Sequence, residues 1–172
     1  HKEYRRQRQM CIRDSLNPVS MKELNDVIER TTGKFIWSYD DDHIIYLKKD
    51  PITLIADSVY LHKIGSPSSS DILLYKESDN EFNLSLSLSR TKKYIYINIE
   101  STNSNEIRLI DTHNPINKPL VFISRMENHL YYLEHIEEEN FFVRTNFDAP
   151  NFKVTKIKSL NNIDLANFYT VI

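Results

Sequence analysis

Glycine is nearly missing: only Gly33 and Gly65 occur in 172 residues, where an ordinary protein has about 7 %. The two stand 32 positions apart. That spacing excludes the glycine-rich loops that cradle phosphate or dinucleotides, and also the G-x-S-x-G elbow of serine hydrolases. Turns must then rest on Asn, Asp and Ser, which tolerate left-handed or locally bonded backbone. The clusters at 40–42, 68–70, 103–105 and 161–162 are the expected places. Cysteine is just as scarce. Cys11 alone permits no internal disulfide, which fits a cytoplasmic, reducing location. Long apolar runs are absent too. Stretches such as 120–123 and 141–143 are far too short to cross a bilayer, and no apolar segment follows the basic opening as a signal peptide requires.

The net charge of −2 hides an asymmetry. Residues 1–15 carry Lys2, Arg5, Arg6, Arg8 and Arg13 against Glu3 and Asp14, a net +3, and leave the remainder at −5. A mildly acidic body excludes general nucleic-acid affinity, which needs clustered cations facing phosphates. Residues 1–15 read as a foreign or unstructured leader, an expectation that fails if the source gene encodes them contiguously with the rest. Residues 16–33 read as a short helix or linker. Leu24, Val27 and Ile28 recur at helical spacing over 21–32, Ser20 and Glu23 form a capping-box pattern, and Gly33 suits a C-cap.

With 40 % hydrophobic and 27 % charged residues the chain has ordinary globular composition. Everything after Lys34 reads as short strands. Phe82-Asn83-Leu84-Ser85-Leu86-Ser87-Leu88 alternates strictly, the pattern of a half-buried strand. Set in rows of four, the strands fall at 34–38, 43–48, 57–63 and 71–77, then at 82–88, 94–99, 105–111 and 119–124. The row starts differ by 48, 51, 48 and 48 residues. A third row opens at 129–135, 141–146 and 152–158. Four strands per unit at this period mark the blades of a β-propeller. The fold class expected is therefore all-β: a partial propeller over 34–172, with blades at 34–77, 82–124 and an incomplete 129–172. A blade buries its faces only against its neighbours, and a ring needs about four to eight of them. Two and a half to three blades then read as a fragment with apolar faces left open at both ends.

No residue is assigned a catalytic, cofactor-binding or metal-binding role. His129 and His135, with Glu134 beside the latter, are the best acid–base or metal candidates. Six residues apart on one strand, they lie roughly 20 Å from each other, too far to share an ion. His62 and His113 have no acidic or cysteine partner at useful spacing. Asp40, Asp41 and Asp42 lack the glycine and distal glutamate of a calcium loop and read as a strand-connecting turn. Glu137, Glu138 and Glu139 read as a solvated hairpin tip. Tyr94, Tyr96, Phe122, Tyr131, Tyr132, Phe141 and Phe142 read as blade core, not as a base-stacking platform.

Several stretches, in order and spacing, carry a family resemblance. They are Phe35-Ile36-Trp37-Ser38-Tyr39-Asp40, Val59-Tyr60-Leu61-His62-Lys63-Ile64-Gly65, Ser69-Ser70-Asp71-Ile72-Leu73-Leu74-Tyr75-Lys76-Glu77 and Ser87-Leu88-Ser89-Arg90-Thr91-Lys92-Lys93-Tyr94-Ile95. Further on come Glu106-Ile107-Arg108-Leu109-Ile110-Asp111, His129-Leu130-Tyr131-Tyr132-Leu133-Glu134-His135 and Phe142-Val143-Arg144-Thr145-Asn146. From about residue 26 to 172 the chain resembles the N-terminal propeller of the prolyl oligopeptidase family, its oligopeptidase B branch above all. Residues 1–15 do not share in the resemblance. Asn167-Phe168-Tyr169-Thr170-Val171-Ile172 looks like the run-up to a following blade. Leu130 departs from the pattern, standing where an acidic residue is common in relatives.

The resemblance implies a seven-bladed ring that gates an α/β-hydrolase domain bearing a Ser-Asp-His triad, with no cofactor. The parent would then hydrolyse short peptides after Arg or Lys, and its partners would be that hydrolase domain and its peptide substrates, with no nucleic acid or membrane. None of the triad positions falls in this chain, so the chain alone is expected to be inactive. The rival expectation is a stand-alone propeller of the kelch or WD type, acting as a protein-interaction scaffold.

Overall fold

The computed structural model describes residues 26–160, 163, 169 and 170. Among the described residues twelve strands form three antiparallel sheets of four. The first runs β1 (Thr31–Trp37), β2 (His43–Lys49), β3 (Ala56–Lys63), β4 (Ile72–Lys76). The second runs β5 (Asn83–Leu88), β6 (Tyr94–Glu100), β7 (Asn105–Asp111), β8 (Leu120–Ile123). The third consists of β9 (Tyr131–Glu137), β10 (Asn140–Thr145), β11 (Lys153–Ile157) and β12 (Tyr169–Thr170). Each sheet is a meander of consecutive strands, so the 48-residue period is the period of the sheets. Among the described residues the only helical piece is a 3-10 turn, Ser68–Ser70, and no helix is long and apolar enough to cross a membrane.

Three expectations need correction. From residue 26 onward the helix proposed over 21–32 is absent: residues 26–29 are irregular and β1 begins at Thr31. Tertiary contacts win here over weak helical propensity in Thr31 and Thr32. Ile28 is buried against Ile44 and Tyr46, and the Asp26 carboxylate accepts the Gly65 N–H at 3.0 and 3.1 Å. Gly33 is no C-cap; at φ 85° it lies where the β1–β2 register slips. The remainder of that helix and residues 1–15 lie outside the described residues. The third sheet does not break off after three strands, because Tyr169 and Thr170 pair with Lys156 and Thr155. Those two residues thus form the fourth strand of this sheet.

The turns do use Asn, Asp and Ser, as at Ser38, Asp50, Ser89 and Ser101, and draw on other residues besides. Among the described residues eight other than glycine adopt positive φ: Arg30, Asp41, Leu54, Lys92, Asn128, Glu138, Asp148 and Phe152. Only three of these are Asn or Asp, so other side chains carry much of what glycine usually does. The first two sheets share one device. Ser38 and Ser89 each receive the N–H of the residue five positions on, His43 and Tyr94, on Oγ at 3.0 Å. Asp41 and Lys92 take the left-handed position in each. A hydroxyl that closes the turn fixes the backbone that glycine would otherwise have to permit.

Two clusters bind the sheets face to face. Ile45, Leu47, Val59 and Leu61 of the first sheet meet Leu84, Leu86, Ile95, Ile97 and Ile99 of the second. On the opposite face of β6, Tyr94 and Tyr96 join Ile107, Leu109 and Phe122 against Tyr131, Phe141 and Val143 of the third. β6 is therefore buried on both sides, and its run Tyr-Ile-Tyr-Ile-Asn-Ile is apolar almost throughout. β10 alternates buried and exposed residues instead, with Phe142 and Arg144 outward.

Candidate functional site

Among the described residues the buried carboxylates gather in two places. The first is His62, fully buried near the end of β3. Its Nδ1 lies 2.7 Å from Asp71 Oδ1, and Asp71 Oδ2 accepts the Tyr46 hydroxyl at 2.8 Å. On the other side, His62 Nε2 stands 3.8 Å from Asp26 Oδ1 and makes no hydrogen bond. Burial, together with the bonded Asp71 carboxylate, holds the Tyr46 phenol far above its ordinary range. The reading of His62 as a histidine without an acidic partner is thus overturned. Its partners lie elsewhere in the chain, and the fold of the first sheet brings them in. An imidazole between carboxylates is two parts of a charge relay, yet no nucleophile hydroxyl meets it and solvent does not reach it. What this arrangement can do is fasten the 26–28 segment to the first sheet.

The second place bridges the first and second sheets. Arg125 donates from Nη2 to Glu77 Oε2 at 2.6 Å and to the Tyr75 hydroxyl at 3.1 Å, and its plane covers the Phe82 ring at 4.0 Å. Arg108 donates to Glu106 Oε1 at 2.7 Å and covers the Tyr75 ring at 4.2 Å. Glu77 also accepts the N–H groups of Ser78 and Asp79. Burial alone would raise the Glu77 carboxyl. Arg125, Tyr75 and the Asp79 N–H outweigh it and hold the group below its usual range. The Tyr75 phenol is pushed up to about 12 by burial and by the neighbouring carboxylate. Every charge in this network is answered by another, as a structural clamp requires and a catalytic group does not.

The other candidates are dispersed. His129 stacks on Tyr131 and meets Thr145 Oγ1 at 2.8 Å, and burial lowers its pKa. His135 meets Thr91 Oγ1 and the Glu138 carbonyl, with Tyr94 and Phe141 against its ring. Both are hydroxyl–imidazole pairs without the carboxylate that would complete a relay. Glu134 accepts the backbone N–H groups of Arg90 and His135. His113 stacks on Tyr39 at 3.9 Å, and its Nδ1 lies 3.5 Å from Asp111 Oδ1. Asp40, Asp42 and His43 bring one ligand atom each within 4.8 Å of the others, but Asp40 and Asp42 are exposed and Asp40 is already engaged with Ser38. Glu137, Glu138 and Glu139 form the exposed β9–β10 tip. The aromatics expected in the core are there, except for Tyr132 and Phe142, which are about half exposed. Leu130 is held through its N–H by Asn146.

A family profile described as "Prolyl oligopeptidase, N-terminal beta-propeller domain" matches residues 8–170, and so reaches into residues 8–15, which were expected to stand outside the resemblance. The chain is 35 % identical to dipeptidyl aminopeptidase BI of Pseudoxanthomonas mexicana over 132 residues, which is 76 % of this chain and 18 % of that protein. It is 31 % identical to protease 2 of Moraxella lacunata over 124 residues, 72 % of this chain and 18 % of that one. Among solved structures, oligopeptidase B from Trypanosoma brucei superposes with a TM-score of 0.76 at 26 % identity, covering 83 % of this chain and 20 % of that one. Oligopeptidase B from Leishmania major gives 0.78 at 22 % identity, covering 86 % and 21 %. The chain thus spans about a fifth of the length of the proteins it matches.

Proposed function

Since the chain belongs to the prolyl oligopeptidase family, within its N-terminal β-propeller domain, we propose that it is part of the gating ring of a serine oligopeptidase. The ring admits short peptides by size to a hydrolase domain elsewhere in the parent protein, which cleaves after Arg or Lys. The observation that carries this reading is the likeness of three face-packed, four-stranded sheets to peptidases about five times as long. The polar clusters agree with it, because one fastens the 26–28 segment to the first sheet and the other bridges the first two sheets. We place the parent in the cytosol, in keeping with a single cysteine, Cys11.

One relative favours a second reading. The 35 % identity to a dipeptidyl aminopeptidase supports release of dipeptides from free N-termini instead of internal cleavage. The test is to express the complete product of the source gene beside this chain and to assay both on three substrates. These are a blocked tetrapeptide with arginine at the cleavage site, a dipeptide amide with a free N-terminus, and a 40-residue peptide. A fluorophosphonate probe reports a reactive serine. Our reading expects labelling and fast cleavage of the tetrapeptide by the complete protein, slow cleavage of the long peptide, and no cleavage by this chain. Preference for the free dipeptide amide selects the second reading. A complete protein that neither labels nor cleaves sinks both and returns the interaction scaffold.

A further inference from the structure

On the face of the first sheet turned away from the second, the chain buries a polar residue that the repeat does not require. His62 pairs with Ile44 across β2 and β3, on the side opposite Leu61 and the contact with the second sheet. At the matching place in the second sheet Ile110 pairs with Ile95, and both belong to an apolar cluster. A histidine is therefore no condition of building such a sheet. His62 is fully buried, and the Asp26 and Asp71 side chains beside it are only 7 % and 2 % exposed.

The charges around this ring do not balance. Both oxygens of each carboxylate are met by donors. Asp71 takes the His62 Nδ1–H on one oxygen and the Tyr46 hydroxyl on the other. Asp26 takes the Gly65 N–H on both, at 3.1 and 3.0 Å. Each is held as an anion, and among the described residues no lysine or arginine pairs with either. A proton on His62 answers one negative charge and leaves the other buried without a match, which is costly. A divalent cation answers both.

The donor atoms suit one. Nδ1 is spent on Asp71, so Nε2 is the ring nitrogen with a lone pair to give, and it has no hydrogen bond. Asp26 Oδ1 stands 3.8 Å from it. An ion about 2.0–2.2 Å from a nitrogen and from a carboxylate oxygen spans such a gap. A carboxylate oxygen has lone pairs enough for an N–H and a metal together. A carboxylate on the far nitrogen is also what a metal-bound imidazole commonly has, since it fixes the ring and its tautomer. We infer that His62 and Asp26 bind a divalent cation of the zinc class, with Asp71 as the outer partner that orients the ring. Water or the second Asp26 oxygen takes the remaining positions. The ion clips the 26–28 segment to β3, and the clip is independent of the peptidase reading.

The test strips the complete protein with EDTA and titrates it with zinc and with cobalt(II). One equivalent should bind, and zinc should raise the melting temperature of the stripped protein by about 3 °C or more. X-ray absorption at the zinc edge should show a single imidazole nitrogen with oxygen neighbours at about 2 Å. His62→Gln and Asp26→Asn should each abolish uptake. Asp71→Asn should weaken it about 10- to 100-fold. Asp42→Asn, in the exposed group with Asp40 and His43, should leave it unchanged. A melt indifferent to zinc and EDTA, with no equivalent taken up, overturns the inference and leaves a charge pair only. Sulfur or a second imidazole around the zinc overturns it without recourse to any variant, as does an equivalent that survives in His62→Gln.

Discussion

The second and third sheets are built from the same repeat but live in different surroundings. β6 in the second sheet is buried on both faces, with Ile95, Ile97 and Ile99 turned to the first sheet and Tyr94 and Tyr96 to the third. β10 in the third has one buried face, with Phe141 and Val143, and one open face, with Phe142 and Arg144. On that open face Arg144 lies over the rings of both Tyr132 and Phe152, at 4.9 and 4.7 Å. Within this stretch of chain the second sheet packs on both faces and the third on one.

Substitutions make that contrast measurable. Ile97→Ala, at a fully buried position of β6, should lower unfolding stability by about 3–4 kcal/mol. Phe142→Ala on the open face of β10 should cost under about 1 kcal/mol. Urea midpoints with unchanged slopes would check both, and similar losses would end the distinction. Next in size is Arg125→Met, which leaves Glu77 without its cation between the first two sheets. About 2 kcal/mol is expected, reduced from a fully buried pair by the partial exposure of Arg125.

Two pH effects sharpen the comparison. The Glu77 carboxyl titrates below its unfolded range. Its contribution is complete above a pH of about 4.3 and is lost as pH falls through the folded value. Wild type and Glu77→Gln should then differ in midpoint at neutral pH and converge in acid. His129, between the second and third sheets, has its pKa lowered by burial. Its neutral form stabilises fully above a pH of about 6.5, and that share fades as pH falls toward the folded value. His129→Gln should flatten the stability profile between pH 7 and 5 by less than about 1 kcal/mol, the smallest effect of the set.

Strands were legible because alternation is local: Leu84, Leu86 and Leu88 announce a strand whatever lies around it. The 48-residue repeat was legible because each sheet is made of consecutive strands. The helical reading of residues 26–32 shows the limit of local reading. Ile28 faces inward because Ile44 and Tyr46 await it, and no window of neighbouring residues contains those partners. His62 escaped for the same reason. Asp71 is nine positions away and Asp26 farther still, so only folding brings the carboxylates to the ring. The left-handed Leu54 had no signal either, since leucine is a poor guess for such a place.

Because each sheet is one continuous length of chain clasped only by the sheets beside it, the molecule has a distinctive mechanics. Pulled from its two ends, this stretch of chain should part unit by unit, one sheet at a time. Each rupture would release about 160 Å of slack, the reach of some 48 extended residues. In a force–extension trace that is a short sawtooth of evenly spaced teeth. An unfolding motor gripping either end would meet the same resistance repeatedly and pause at each sheet in turn.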